Sequence, residues 1–88
     1  MKYSVHLSKK AQKSLNKLDL GQSNKVHAWI EEYLVGCENP RAHGKPLRGD
    51  FKGKWRYRVG DYRLIADILD DVVIIEIVKV AHRKEAYE

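Results

Sequence analysis

Tyr3, Val5 and Leu7 alternate with Lys2, Ser4 and His6, a period of two that predicts a short strand with one buried face. Ser8 then offers an N-cap. Ala11, Leu15 and Leu18 follow at spacings of four and three, drawing one apolar stripe on a helix whose other side carries Lys9, Lys10, Lys13 and Lys17. That helix is expected to stop near Gly21. A second is expected from about Ser23, with Val26, Trp29 or Ile30, and Tyr33 or Leu34 on one side, ending at Gly36 ahead of Asn39-Pro40. Periodicity fades between Glu38 and Gly53, where Gly, Pro, His and basic residues predict a surface connection. Three strands follow: Lys54 to Val59, Tyr62 to Leu69 and Val72 to Val80, separated by Gly60-Asp61 and Asp70-Asp71. The last residues, from His82 to Glu88, are expected to form one helical turn or an arm on the sheet.

Two-residue turns would pair Val59 with Tyr62 and Arg58 with Arg63, then Leu69 with Val72 and Asp67 with Ile74. Side-chain faces follow from parity. One face collects Trp55, Tyr57, Val59, Tyr62, Leu64, Ala66, Ile68, Val73, Ile75 and Ile77, an apolar set for the two helices to cover. The other collects Lys54, Arg56, Arg58, Arg63, Ile65, Asp67, Ile74, Glu76 and Val78. Like charges directly opposite each other on a sheet repel, so four cations at one end of this face call for an anion. Asp67, Glu76 or the C-terminal carboxylates are the intramolecular candidates; a bound polyanion is the functional one.

Composition narrows the choice. At 88 residues the chain is expected to form one domain, residues 1–88, and 17 Lys and Arg against 12 Asp and Glu leave a formal charge of +5. Between Lys45 and Ile65 stand seven Lys or Arg against Asp50 and Asp61, so this segment holds an excess equal to that of the whole chain, placed where a phosphate backbone could lie. The lone Cys37 excludes an intramolecular disulfide, and the apolar run at Val72 to Ile75 is far shorter than the ~20 residues of a membrane-spanning helix. With no signal-peptide core near the N-terminus, a cytoplasmic location is expected. His6, His27 and His43 lack metal-ligand spacing, so neither a metal site nor a cofactor is expected. Trp29, Tyr33 and Trp55 are read as packing, Cys37 as incidental, and the lysines of the first helix as a solvated face.

Four segments carry a family resemblance: Ala11-Gln12-Lys13-Ser14-Leu15-Asn16-Lys17-Leu18; Asn39-Pro40-Arg41 with Lys45-Pro46-Leu47-Arg48-Gly49; the run Trp55-Arg56-Tyr57-Arg58-Val59-Gly60-Asp61-Tyr62-Arg63-Leu64; and the ending Val80-Ala81-His82-Arg83-Lys84-Glu85-Ala86-Tyr87. In these the chain resembles the RelE/ParE superfamily of bacterial toxins, and within it the RelE-type messenger-RNA interferases. The resemblance implies an α+β fold with two N-terminal helices packed on a small, mainly antiparallel four-stranded sheet and a short C-terminal helical turn. It also implies a ribosome-dependent endoribonuclease that cuts the codon in the 30S A site without a metal and is neutralised by a cognate RelB-like antitoxin. A ParE-type gyrase poison and a non-catalytic RNA-binding domain are the alternatives.

Carried over by motif, Lys54, Arg56, Arg63, Arg83 and Tyr87 are the implied catalytic residues, and Arg48, Lys52, Arg58 and His82 the RNA-binding ones. An arginine fork suits a phosphate whose oxygens gain charge in the transition state, which favours Arg63 as the principal stabiliser. Lys54 among arginines is expected to lose its proton readily enough to act as base for the 2′-OH, with Tyr87 sharing that role or stacking on a nucleobase. The acid for the leaving oxygen lies between Arg83 and His82.

Overall fold

The computed structural model describes residues 1–82, so the expected C-terminal turn lies outside the described residues, as do Arg83 and Tyr87. The elements run β1 (Ser4–Leu7), α1 (Lys9–Asn16), α2 (Leu20–Tyr33), β2 (Lys45–Pro46), a 3₁₀ turn (Gly49–Phe51), β3 (Trp55–Val59), β4 (Tyr62–Leu69) and β5 (Ile74–His82). The strands make one sheet in the order β1-β5-β4-β3-β2, antiparallel except where β1 lies parallel to β5. This is the expected α+β architecture with five strands in place of four. The added strand is β2, whose two residues pair Lys45 with Arg56 and Pro46 with Trp55. Two residues cannot display a period of two, and Pro46 reads as a strand breaker although an edge position tolerates its missing N–H.

Both helices start at a side-chain cap. Ser8 Oγ accepts from the Ala11 N–H at 3.0 Å, and Asp19 Oδ1 from the Gln22 N–H at 2.9 Å. Asp19 thus begins α2 four residues before the expected Ser23, and Gly21, expected to end the first helix, lies in the first turn of the second. Ala11, Leu15, Val26, Ile30 and Leu34 point from the helices onto Tyr57, Val59, Leu64, Ala66, Ile75, Ile77 and Val80 of the sheet to form the core. Val26 and Ile30 are the buried residues of α2 and Leu34 is buried at its C-cap, while Trp29 packs at the margin and Tyr33 is exposed.

The segment between α2 and β3 is tied to the core by two aromatic side chains. Tyr57, fully buried, donates its hydroxyl to the Pro40 carbonyl at 2.6 Å, and Trp55 donates Nε1–H to the His43 carbonyl at 2.6 Å. Gly44 lies so close to β3 (φ +79°) that a Cβ there would stand 2.1 Å from the Arg56 carbonyl oxygen, which excludes any other residue.

The β3–β4 hairpin has the expected register, Val59 opposite Tyr62 and Arg58 opposite Arg63. The next hairpin differs: Leu69 pairs with Ile74 across a four-residue turn, and Asp67 faces Glu76 instead of Ile74. The displacement is two residues, so parity survives and Ile75 and Ile77 stay in the core. The longer turn is held from outside. Arg41 grips Asp70 with both terminal nitrogens (3.1 and 3.0 Å), Tyr3 donates its hydroxyl to the same carboxylate at 2.6 Å, and Val73 takes a left-handed φ of +56°, costly for a β-branched residue.

Tyr57→Phe should lower the free energy of unfolding by about 1–3 kcal/mol, because the Pro40 carbonyl loses its buried donor; urea denaturation measures it. Arg41, and then Tyr3, hold the Asp70 carboxyl below its ordinary pKa. A lowered folded-state pKa contributes stability above the unfolded value and loses it as pH falls through the folded one. Melting temperatures of the parent and Arg41→Ala should therefore differ at neutral pH and converge as pH drops below about 4.

Candidate nucleic-acid interface

Strands β3, β4 and β5 turn alternate residues away from the helices, and the pairing aligns these into rows across the sheet. The row nearest the Gly60-Asp61 turn is Arg58, Arg63 and Ala81. The next is Lys45, Arg56, Ile65 and Lys79, running over four strands. A third holds Asp67, Glu76 and His6, with Lys54 reaching Asp67 from the residue before β3. Five cations thus occupy two adjacent rows. Arg58 is exposed, Arg56, Arg63 and Lys79 are half-buried, and Ile65 forms a buried apolar floor between Arg56 and Lys79.

Lys79 reaches this face through an irregularity in the ladder. Ala66 pairs with Ile77 and Ile65 with Lys79, leaving Val78 as an extra residue in β5. Uninterrupted alternation would send Lys79 toward the helices and His82 toward the cations. The bulge exchanges them. His82 instead stands opposite Tyr62, its ring edge-on at 5.4 Å, and both line a cavity of about 530 Å³ beside Ser14, Lys17 and Leu18 of α1. His82, expected to bind RNA alongside the arginines, is therefore placed on the helix side of the sheet.

Among the remaining expected residues, Arg56, Arg58 and Arg63 share the cationic face. Arg48 precedes the 3₁₀ turn and shares a groove at the sheet edge with Lys45, Pro46, Leu47 and Arg56. Lys52 is exposed on the far side of that turn. Lys54 does not have the purely cationic neighbourhood on which its role as a base was expected to rest. Its ammonium donates to both oxygens of Asp67, at 2.8 and 3.0 Å, in a partly buried ion pair.

Sequence reasoning did not place Lys45 and Lys79 on the cationic face. Lys45 belongs to the basic segment but was not placed on a strand, and nothing in the apolar run around Val78 announces a bulge.

Elsewhere the aromatic residues behave as packing. Trp29 stacks on Tyr57 and Tyr33, with ring centroids 5.7 and 5.1 Å apart, and His43 closes the group 5.1 Å from Tyr33. Burial pushes the Cys37 thiol above its ordinary pKa, the opposite of what a nucleophile needs. Among the described residues no three His, Cys, Asp or Glu side chains are grouped as a metal ion would require, and no helix is long and apolar enough to cross a membrane.

Residues 5–87 match the family described as the ParE toxin of type II toxin–antitoxin systems. The chain is 34% identical to Toxin RelE of Mycobacterium tuberculosis over 87 residues, covering 97% of this chain and 86% of the relative. It is 33% identical to Toxin RelG of the same organism over 89 residues, covering 99% and 98% respectively. Its fold superposes on a chain in the RelBE2 toxin–antitoxin complex of Mycobacterium tuberculosis with a TM-score of 0.75 at 31% identity, over 97% of this chain and 95% of the other. Family match, relatives and shared fold agree with one another: the chain is a member of the RelE/ParE toxin family, a RelE-type toxin of a toxin–antitoxin system.

Proposed function

We propose that this toxin is a ribosome-dependent endoribonuclease that cuts messenger RNA in the A site without a metal ion and is neutralised by a cognate antitoxin. The observation that carries this reading is the pair of cationic rows, Arg58–Arg63 and Lys45–Arg56–Lys79, on the sheet face opposite the helices. A polynucleotide lying across the rows would exchange condensed counterions for these side chains, which supplies affinity without regard to sequence.

The reaction that suits such a face is internal transfer at a phosphodiester. The ribose 2′-oxygen attacks the adjacent phosphorus as its proton leaves, the P–O5′ bond breaks, and the products are a 2′,3′-cyclic phosphate and a 5′-hydroxyl. Charge gathers on the phosphoryl oxygens, where the forks of Arg63 and Arg56 stabilise it. Arg83 and Tyr87, matched by motif, are assigned the proton steps. In-line attack requires the 2′-oxygen, the phosphorus and the leaving oxygen to be nearly collinear, a geometry that free single-stranded RNA seldom holds. The ribosome supplies it by fixing one side of the codon, and this requirement places the toxin in the cytoplasm.

The antitoxin is assigned an acidic segment that folds on this surface, since a chain of charge +5 is complementary to such a partner. That the fold relative occurs in the RelBE2 toxin–antitoxin complex supports an antitoxin partner.

Arg63→Ala should leave the fold intact and lower cleavage on programmed ribosomes by about a hundredfold to a thousandfold, the usual cost of losing one oxyanion donor. Arg58→Ala should instead weaken binding and reduce the salt dependence, with less effect on the rate at saturation. Cutting should be efficient on ribosomes with an empty A site and slight on naked messenger at equal protein and salt. Equal rates on both would identify a free-standing ribonuclease; DNA damage or altered supercoiling without cut messenger would identify a gyrase poison.

A further inference from the structure

The third row of the sheet face differs from the two cationic ones. Asp67 and Glu76 stand opposite each other on β4 and β5, His6 of β1 adjoins Glu76, and Lys54 closes the row from the β3 side. Side by side, two carboxylates are unfavourable by themselves. Asp67 gives its charge to Lys54, Nζ lying 2.8 and 3.0 Å from its two oxygens, with both side chains about one-third exposed. An ammonium has three N–H donors. Two are taken by Asp67, which leaves the third to a substrate approaching from the Arg56 side.

We infer that Asp67 is a positioning residue for the cleavage reaction: it anchors Lys54 so that the ammonium donates one aimed hydrogen bond to the scissile phosphate. This rests on the proposed ribonuclease reading. Without the anchor, a four-carbon lysine stem samples many rotamers and its charge pairs with whichever phosphate is nearest. With it, the ordering is complete before RNA arrives and the donor stays at one point, one row from Arg56. The role replaces that of a base drawn from like-charge repulsion: Lys54 transfers no proton and acts as a fixed charge.

Removing the Asp67 carboxylate therefore has two opposed consequences. It adds one positive charge to the face, which tightens RNA binding. It also frees Lys54, which slows the chemical step. Glu76→Gln is the matched control, because it adds the same charge one strand away without touching the Lys54 anchor.

Single-turnover cleavage on programmed ribosomes, over a range of toxin concentration, separates the two effects. Asp67→Asn should bind at least as tightly as the parent while its saturated rate falls about tenfold or more, the scale expected for a misplaced catalytic group. Asp67→Glu, which keeps the carboxylate one methylene further out, should fall between them. Glu76→Gln should bind as tightly as Asp67→Asn and retain the parental saturated rate. A parental rate in any folded Asp67 variant overturns the inference, as does equal slowing by Glu76→Gln, which would make Asp67 one charge among others. Should Asp67→Asn not fold, the Asp67→Glu rate decides alone. A parent that cuts no messenger under these conditions rejects the ribonuclease reading itself, and the inference with it.

Discussion

Everything on this sheet follows from the register of the β3–β4 hairpin. Gly60, at φ +58°, allows a two-residue reversal, and Val59 must then face Tyr62. A slip of one residue would turn Tyr57 and Leu64, both fully buried, into solvent and drive Arg56, Arg58 and Arg63 under the helices. No slip can therefore relieve the repulsion between Arg58 and Arg63. Burying a large apolar side chain is worth about 1.5–3 kcal/mol, whereas a cross-strand pair contributes about 0.2–1 kcal/mol, so the apolar face dictates where the cations stand. The fold thus holds side by side a set of cations that cross-strand energetics alone would not select.

The periphery keeps this sheet in one shape. Tyr57 carries its hydroxyl through the core to the Pro40 carbonyl, and burial pushes the phenol well above its ordinary pKa, so it serves as a neutral donor. The segment after α2 is thus fastened to β3 from within, and Gly44 lets its backbone lie flat enough for Lys45 to join the cationic row. At the opposite end of β4, the Arg41–Asp70–Tyr3 contact fastens the same segment to the β4–β5 turn and to β1. Both fastenings use residues far apart in the chain, and both bear on strands that display the cations.

Much of this was legible in the residues. Alternation in β1, β3 and β4, the Ser8 cap, the apolar stripes of the helices and the Gly60-Asp61 turn are local signals, and each is realised by neighbours within a few positions. Two faces, one apolar and one cationic, follow from parity alone. The start of α2 was misplaced because Asp19 and Ser23 are both competent caps, and local preference does not rank them.

What the sequence determined by itself is the identity of the two faces and the presence of Arg56, Arg58 and Arg63 on the outer one, because strand parity and a two-residue turn are properties of adjacent residues. Tertiary structure decided the rest. Whether Lys79 or His82 joins the cations depends on one extra residue at Val78, a mismatch between two strands that neither strand reveals alone. The β3–β4 register set by the two-residue turn already points Lys54 toward Asp67, thirteen residues away, but only the folded chain brings the ammonium onto both carboxylate oxygens. Charge in a sequence is a sum over residues, but its chemistry depends on distance, and the distances across a sheet are set by strands that meet only when the chain folds.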